Sequence, residues 1–413
     1  MSELPHNLKP RDDKDVEDAV QWALGGGKAI EIVGHGSKRA IGRPAQTDLT
    51  LDLAGLTGVT LYEPEELVLS AKAGTPLAEI EALTAAKGQM LAFEPMDYGP
   101  IFGGKAGRGT IGGVLATNLS GPRRIKAGAA RDHFLGFSAV SGRGETFKSG
   151  GRVVKNVTGY DLCKLMAGSW GTLAAMTEVT IKVLPAPETE TTVLVLGLDD
   201  TKAVAAMAAA MGSSCEVAGA AHLPAAVAAR IPLGAAVAQG RALTALRLEG
   251  VAPSVAHRKA VLKGAMKTFG EVGAIDHAVS RNLWRAIRDV TPFAARQTGA
   301  DQPLWRVSTA PARGAELARL ITAAADAEVL YDWAGGLLWV LLAGSDDAGA
   351  APVRRAAAAC GGHATLIRAS LPVRAAVDVF EPQEAGLAAL SKRVKESFDP
   401  QGVLNPGRMC AGV

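Results

Sequence analysis

The chain has 413 residues, 48% of them hydrophobic, too many for one ordinary core and too apolar for a disordered chain. A formal net charge of +3 excludes the basic footprint of a nucleic-acid-binding protein. Cys163, Cys215, Cys360 and Cys410 stand far apart with no CxxC spacing, which excludes an encoded zinc knuckle or iron–sulfur centre and makes a disulfide framework a poor fit. Residues 1–18 are polar and charged, unlike a signal peptide. The longest strongly apolar stretch, 333–343, is too short to span a bilayer. A cytoplasmic protein is expected, reaching a membrane only through partners.

In chain order, 12–24 has helical periodicity, with Val16, Ala19, Val20 and Ala23 on one face and three glycines to end it. A buried strand is expected over 29–33, followed directly by the loop Gly34-His35-Gly36-Ser37. Strands are expected over 49–53 and 67–73, and a helix over 75–87, started by Pro76 and stopped by Gly88. Mixed α/β structure runs to Pro185-Ala186-Pro187, a boundary by composition. Beyond it, strand 191–198, helix 200–211, strand 242–249 and helix 254–269 indicate an α+β layer, with 337–342 as its central strand. Ala-rich runs read as packed helices, and 384–398 as a last helix before a turn and a short tail. The expected organisation is 1–186, 187–383 and 384–413.

The loop at Gly34 follows a strand, but it is not a dinucleotide fingerprint. The third glycine of that motif is replaced by Arg39, and Ile41-Gly42-Arg43-Pro44 cannot open a long helix. Gly26-Gly27-Lys28-Ala29 is no P-loop, because no Ser or Thr follows the lysine. What remains is a nest of N–H groups with Ser37 as hydroxyl donor; read alone, it is more readily an ordinary turn. A second loop, Gly109-Thr110-Ile111-Gly112-Gly113, lies about 75 positions later. Two such nests can grip one pyrophosphate from two sides, although this one also fits a β-bulge or hairpin. A third element, Gly159-Tyr160-Asp161-Leu162 with Gly171-Thr172, also fits a strand-to-helix connection with a packed tyrosine.

Together with Gly74-Thr75-Pro76-Leu77, Lys87-Gly88-Gln89-Met90-Leu91, Ser120-Gly121-Pro122-Arg123-Arg124, Lys155-Asn156-Val157-Thr158 and Leu404-Asn405-Pro406-Gly407-Arg408-Met409, these loops carry a resemblance over nearly the whole chain. It resembles the vanillyl-alcohol-oxidase-type flavoproteins with a PCMH-type FAD domain, and among them the E-type subunits of bacterial glycolate oxidase (glycolate dehydrogenase). The resemblance implies an α+β fold: a PCMH-type FAD-binding domain of two α/β subdomains, plus an α+β cap domain with antiparallel sheet, the tail returning to the FAD side. It implies cofactor contacts at Val33, Gly34, His35, Gly36 and Ser37, and at Gly109, Thr110, Ile111, Gly112, Gly113, Thr117 and Asn118. Further contacts would come from Gly159, Tyr160, Asp161, Leu162, Gly171, Thr172 and Asn405, with the backbone of Val179 at adenine. Relatives that link flavin through a histidine carry it where Ser37 stands, so non-covalent FAD is expected, with His35 making a backbone contact or facing solvent. The implied activity is oxidation of glycolate to glyoxylate, with electrons passing through FAD to partners: a D-type FAD subunit and an iron–sulfur F-type subunit. A self-sufficient dehydrogenase of another 2-hydroxy acid, and a non-catalytic assembly or relay subunit, are the alternatives.

Oxidising a 2-hydroxy acid needs a cation for the carboxylate and a base for the hydroxyl proton. His363 and Arg368 are the expected pair, with Arg296, Arg306 and Arg374 as further cations; each of these is also an ordinary core or surface residue type. The D-type relatives carry paired histidines and a Glu-His-Gly for a divalent metal. None of the seven histidines here forms such a pair in the second half, so no metal site is expected.

Overall fold

The computed structural model describes residues 7–152, 159–231, 237–299 and 301–411. The Lys155-Asn156-Val157-Thr158 motif lies outside them.

The first lobe opens with helix Asp13–Gly26. The Asp12 carboxylate caps its first turn and Gly27 closes it at φ 59°. Its apolar stripe of Val16, Ala19, Val20 and Ala23 is buried against a small parallel sheet ordered Asn7–Leu8, Leu49–Asp52, Ile30–Val33. A second, antiparallel sheet follows, ordered Val59–Glu63, Val68–Lys72, Ala174–Lys182, Phe134–Ser141, Thr146–Gly150. Helix Ile111–Thr117 packs on this second sheet, with Ile111, Val114 and Leu115 fully buried.

Residues 189–368 build one eight-stranded antiparallel sheet. Its order is Glu271–Asp276, Thr189–Leu196, Leu243–Gly250, Gly219–Leu223, Ala327–Asp332, Leu337–Leu342, Leu304–Ser308, His363–Arg368. Strand alternation gives the sheet two different faces. Val193, Leu246, Tyr331, Val340 and Leu366 point to helices Asp200–Met211, Ala252–Met266, Gly314–Ala324 and Ala350–Ala359. Leu194, Ala245, Leu330 and Trp339 point to the first lobe and share its core. The expected α+β class and antiparallel second sheet are therefore present.

The joint between the lobes is polar as well as apolar. Arg247 donates a bidentate pair to Glu94 (2.8 Å each), and Arg123 bonds Glu94 through its backbone N–H (2.7 Å) and Glu249 through its guanidinium (2.6 Å). Helix Ala385–Phe398 then returns the chain to the first lobe. There Ile30 N–H donates to Val403, and Asn405 N–H donates to the Ile30 carbonyl.

Candidate functional site

Strand Ile30–Val33 ends at Gly34, and helix Ile111–Thr117 begins after Thr110; the two glycine loops meet here. A Cβ on Gly34 would stand 2.6 Å from Thr110 Oγ1, so only glycine permits this approach. The loops line one open cleft. At one end its walls are apolar: Ile32, Leu53, Ala174 and Met176. At the glycine loops they are cationic through Lys38 and Arg408, Arg39 being paired with Glu31 outside, and no Asp or Glu lines the cleft.

Lys38 is the residue that sequence reasoning missed. Its buried Nζ donates to Ser37 Oγ (3.2 Å) and lies 3.5 Å from where a Cβ on Gly113 would stand. Burial lowers its pKa to about 8, against a weaker pull from Asp97. A buried ammonium without a paired carboxylate is suited to an anionic ligand. Arg408 was missed too, although it sits three residues after Asn405. Its Nη2 donates to the Lys38 carbonyl (3.0 Å), its Cζ stacks 5.7 Å from the Trp170 ring centre, and its Nε has no partner among the described residues. His35 Nδ1 is likewise buried without a partner, and desolvation lowers the pKa of this imidazole. Orphaned donors, a cationic floor and an apolar end fit the pyrophosphate and adenine of FAD.

Of the expected contacts, the structure brings Val33, Gly34, His35, Gly36, Ser37, Thr110, Gly112, Gly113, Thr117 and Gly171 to this cleft. The rest have other tasks, and Gly112, although it lines the cleft, shares one of them. The N–H groups of Ile111 and Gly112 donate to the carbonyls of Thr75 and Ala73, and a Cβ on Gly109 would strike Leu77 at 2.8 Å. These three positions dock the helix, which leaves Gly113 as the glycine beneath the ligand. Val179 lies in the central strand with ladder partners on both sides, Ala71 and Phe137, so its backbone cannot meet adenine. Asn405 is 2% exposed. Its side chain joins Ile32 N–H (2.9 Å) to the Trp170 carbonyl (2.8 Å) and so positions the cleft wall without lining it. Thr172 Oγ1 donates to the Ser169 carbonyl, and Asn118 accepts from Arg131 N–H. Gly159, Tyr160 and Asp161 are exposed, Tyr160 by 90%, and neither they nor Leu162 line the cleft.

The expected catalytic pair separates. Arg368 is 2% exposed, and its guanidinium is held by the carbonyls of Gln302, Ile101 and Phe293 and by Thr298 Oγ1. It ties the lobes together with four of its five N–H donors, which leaves too little of the guanidinium for a bidentate grip on a substrate carboxylate. Arg374 donates to the Gly42 carbonyl, and Arg296 is exposed on helix Ala295–Thr298. His363 opens its strand opposite Ser308, on the face turned to the first lobe, as is Arg306 opposite Trp339 and Thr365.

His35 offers a simple check on attachment. Acid denaturation is expected to release all flavin into the supernatant; a yellow, fluorescent pellet would show a covalent bond.

The chain matches, over residues 6–150, a family described as FAD binding domain. It is 33% identical over 395 residues to glycolate oxidase subunit GlcE of Escherichia coli (strain K12), covering 95% of this chain and 96% of that one. A shorter stretch of 87 residues is 44% identical to glycolate oxidase subunit GlcD of Bacillus subtilis (strain 168), covering 21% of this chain and 18% of that one. In fold it is similar to p-cresol methylhydroxylase, with a TM-score of 0.70 and 14% identity over 98% of this chain and 88% of that structure.

Proposed function

We propose, from the fact that this chain belongs to the family of FAD-binding oxidoreductases that includes glycolate oxidase subunit GlcE, that it is the FAD-binding subunit of a complex oxidising glycolate to glyoxylate. The observation that carries the reading is the acid-free cationic cleft at the meeting of the two glycine loops. Bound there, FAD supplies the acceptor for the two electrons that leave the hydroxyl-bearing carbon. Lys38, Arg408 and Gly113 hold the pyrophosphate, Ala174 and Met176 flank the adenine, and Asn405 keeps Trp170 and Gly171 in place. In this reading residues 1–186 bind the cofactor, 187–383 cover the flavin and 384–413 close the cofactor side.

The other half of the chemistry is assigned to partners, a D-type flavoprotein and an iron–sulfur subunit. Among the described residues no group of three or more His, Cys, Asp or Glu is arranged to hold a metal ion. No helix among the described residues is long and apolar enough to cross a membrane, so any membrane association is likewise assigned to partners. The isolated chain is therefore expected to be yellow yet to bleach little or not at all with glycolate under anaerobic stopped-flow mixing. Co-expression with the two partners should restore bleaching. Rapid stoichiometric bleaching of the single chain would instead favour a self-sufficient dehydrogenase. One observation speaks for that second reading: Arg306 and His363 face the first lobe with no hydrogen bond between them and any described residue's side chain. Affinity purification from the host, with identification of co-purifying proteins and flavin, separates the two.

A further inference from the structure

Strand Ala327–Asp332 ends in a tight turn whose residues Trp333, Ala334 and Gly335 all have positive φ, 51°, 58° and 97°. For a bulky tryptophan this is a costly conformation, and it is held in place from both lobes. The Asp332 carboxylate accepts the Trp333 N–H (2.7 Å), and the indole Nε1 donates across the joint to the Gly121 carbonyl (3.0 Å). Gly121 itself is pressed against the first lobe: a Cβ there would stand 2.5 Å from the Glu94 carbonyl.

The indole carries two guanidinium groups. Arg124 of the first lobe has its Cζ 4.3 Å from the ring centre, and Arg306 of the eight-stranded sheet has its Cζ 5.0 Å away. Neither side chain makes a hydrogen bond or ion pair among the described residues. Three buried or half-buried arginines at the joint behave differently. Arg247 is matched by Glu94, Arg123 by Glu249, and Arg368 by four protein oxygens. Arg306 is enclosed, yet its charged and polar neighbours offer no counter-ion. Arg124 repels it, Asp332 attracts it only through space with a carboxyl that burial pushes up to about 7, and the Tyr98 phenol is kept protonated, its pKa raised to about 12 by burial. His363 completes the surroundings, its imidazole kept neutral by desolvation and by the nearby Arg306 and Arg124. Two guanidiniums on one ring, neither hydrogen-bonded to an anion among the described residues, leave uncompensated positive charge at the joint that an anionic ligand would offset.

The position suits the cofactor cleft. Helix Ile111–Thr117 starts at the glycine loops and, at seven residues, is about 10 Å long. The segment just beyond it carries Gly121 and Arg124. Trp333 meets this segment from the eight-stranded sheet, through its bond to the Gly121 carbonyl.

The geometry points to a substrate site of this chain's own: Arg306, with Arg124 on the shared Trp333 ring, binds the carboxylate of a small 2-hydroxy acid at the joint between the lobes. This rests on the flavoprotein reading above and deepens it. The chain then keeps the carboxylate-binding half of a hydroxy-acid site, whichever chain provides the remaining groups.

The test uses the purified holoprotein and oxalate, a small dianion with no C–H bond to oxidise. Oxalate binding is followed by calorimetry and by perturbation of the flavin spectrum, with glycolamide as the uncharged control. Arg306→Gln is expected to weaken oxalate about 30-fold or more, within the range for charge-assisted bonds, and the more exposed Arg124→Gln roughly 5- to 10-fold. Arg306→Lys should recover part of the loss. Glycolamide binding and the flavin-to-protein ratio should not change. Equal oxalate affinity in wild type and Arg306→Gln overturns the proposal, as does a wild type that binds no oxalate. Loss of flavin from both Arg306→Gln and Arg306→Lys also overturns it, because the arginine would then hold the cofactor. Arg124 is exposed, so its variant reports on the site even if Arg306→Gln fails to fold. Calorimetry also separates this site from the cofactor reading: a wild type that takes no FAD yet binds oxalate through Arg306 sinks that reading and keeps the site.

Discussion

Gly113→Val is expected to lose FAD while the chain stays folded, and Gly112→Val to damage the fold itself. A Cβ on Gly113 would meet only movable side-chain atoms, Thr110 Oγ1 at 3.0 Å and Lys38 Nζ at 3.5 Å. The branched side chain would then fill the floor of the cleft and push the Lys38 ammonium away from it. Losing close backbone approach and one charge contact is expected to weaken FAD at least about 100-fold, or roughly 3 kcal/mol. At Gly112 the neighbour is Ala73, in the turn that follows strand Val68–Lys72. A Cβ would stand 2.8 Å from the Ala73 carbonyl, which also accepts the Gly112 N–H (2.8 Å). Overpacking of this kind typically costs about 1–3 kcal/mol, and here it also breaks a buried hydrogen bond. Flavin-to-protein ratio, far-UV circular dichroism and Tm measured together distinguish the two. Full flavin content with unchanged affinity in Gly113→Val would remove the pyrophosphate from this loop.

Glu94→Gln is expected to loosen the joint between the lobes. Burial alone would raise the Glu94 pKa, but the Arg247 and Arg123 guanidiniums outweigh it and hold the carboxyl at about 2 against an ordinary value of 4.5. A depressed carboxyl stabilises the native state above its unfolded pKa, and the gain disappears as pH falls through the folded one. The relevant window is thus pH 4.5 down to about 2, and the shift corresponds to roughly 3 kcal/mol. The neutral amide would leave Arg247 buried at 1% exposure with its best partner gone, a change that typically costs about 3–5 kcal/mol. Wild type should lose Tm steeply across that window. The variant should start lower and show a shallower loss, and parallel curves would show that Glu94 does not govern acid stability.

Much of the fold was legible because local signals agreed. Helix Asp13–Gly26 carries its apolar stripe, an Asp cap and a closing glycine in one stretch of sequence. Strand Leu337–Leu342 is an unbroken apolar run and lies inside the sheet. Gly219–Leu223 was not legible: a buried Gly-Ala-Ala-His-Leu has no alternation to read, and its alanines favour a helix as readily. At the site, the glycine loops were legible as places of close approach, but which glycine faces the ligand was not. That depends on Ala73 and Thr75, whose carbonyls take the N–H groups of Gly112 and Ile111. Val179 shows the same limit, since a strand can be read from sequence but its place in the sheet cannot. Arg368 looked like a substrate cation because nothing local reveals that Ile101 and Phe293 would surround it.

The tail has a consequence for how the protein is made. Asn405 bonds Ile32 across 373 positions of chain. Nearby, the buried Lys395 ammonium joins the Thr172 carbonyl, Asp399 and the Leu404 carbonyl. During synthesis the glycine loops leave the ribosome long before the segment that braces Trp170 and Gly171 beside them. Until residues 403–408 arrive, Ile30 presents an unpaired strand edge and Arg408 is missing from the cleft floor. Cofactor loading is thus tied to the arrival of residues 403–408. A product truncated before residue 403 should be left unable to retain flavin and open to edge-to-edge association.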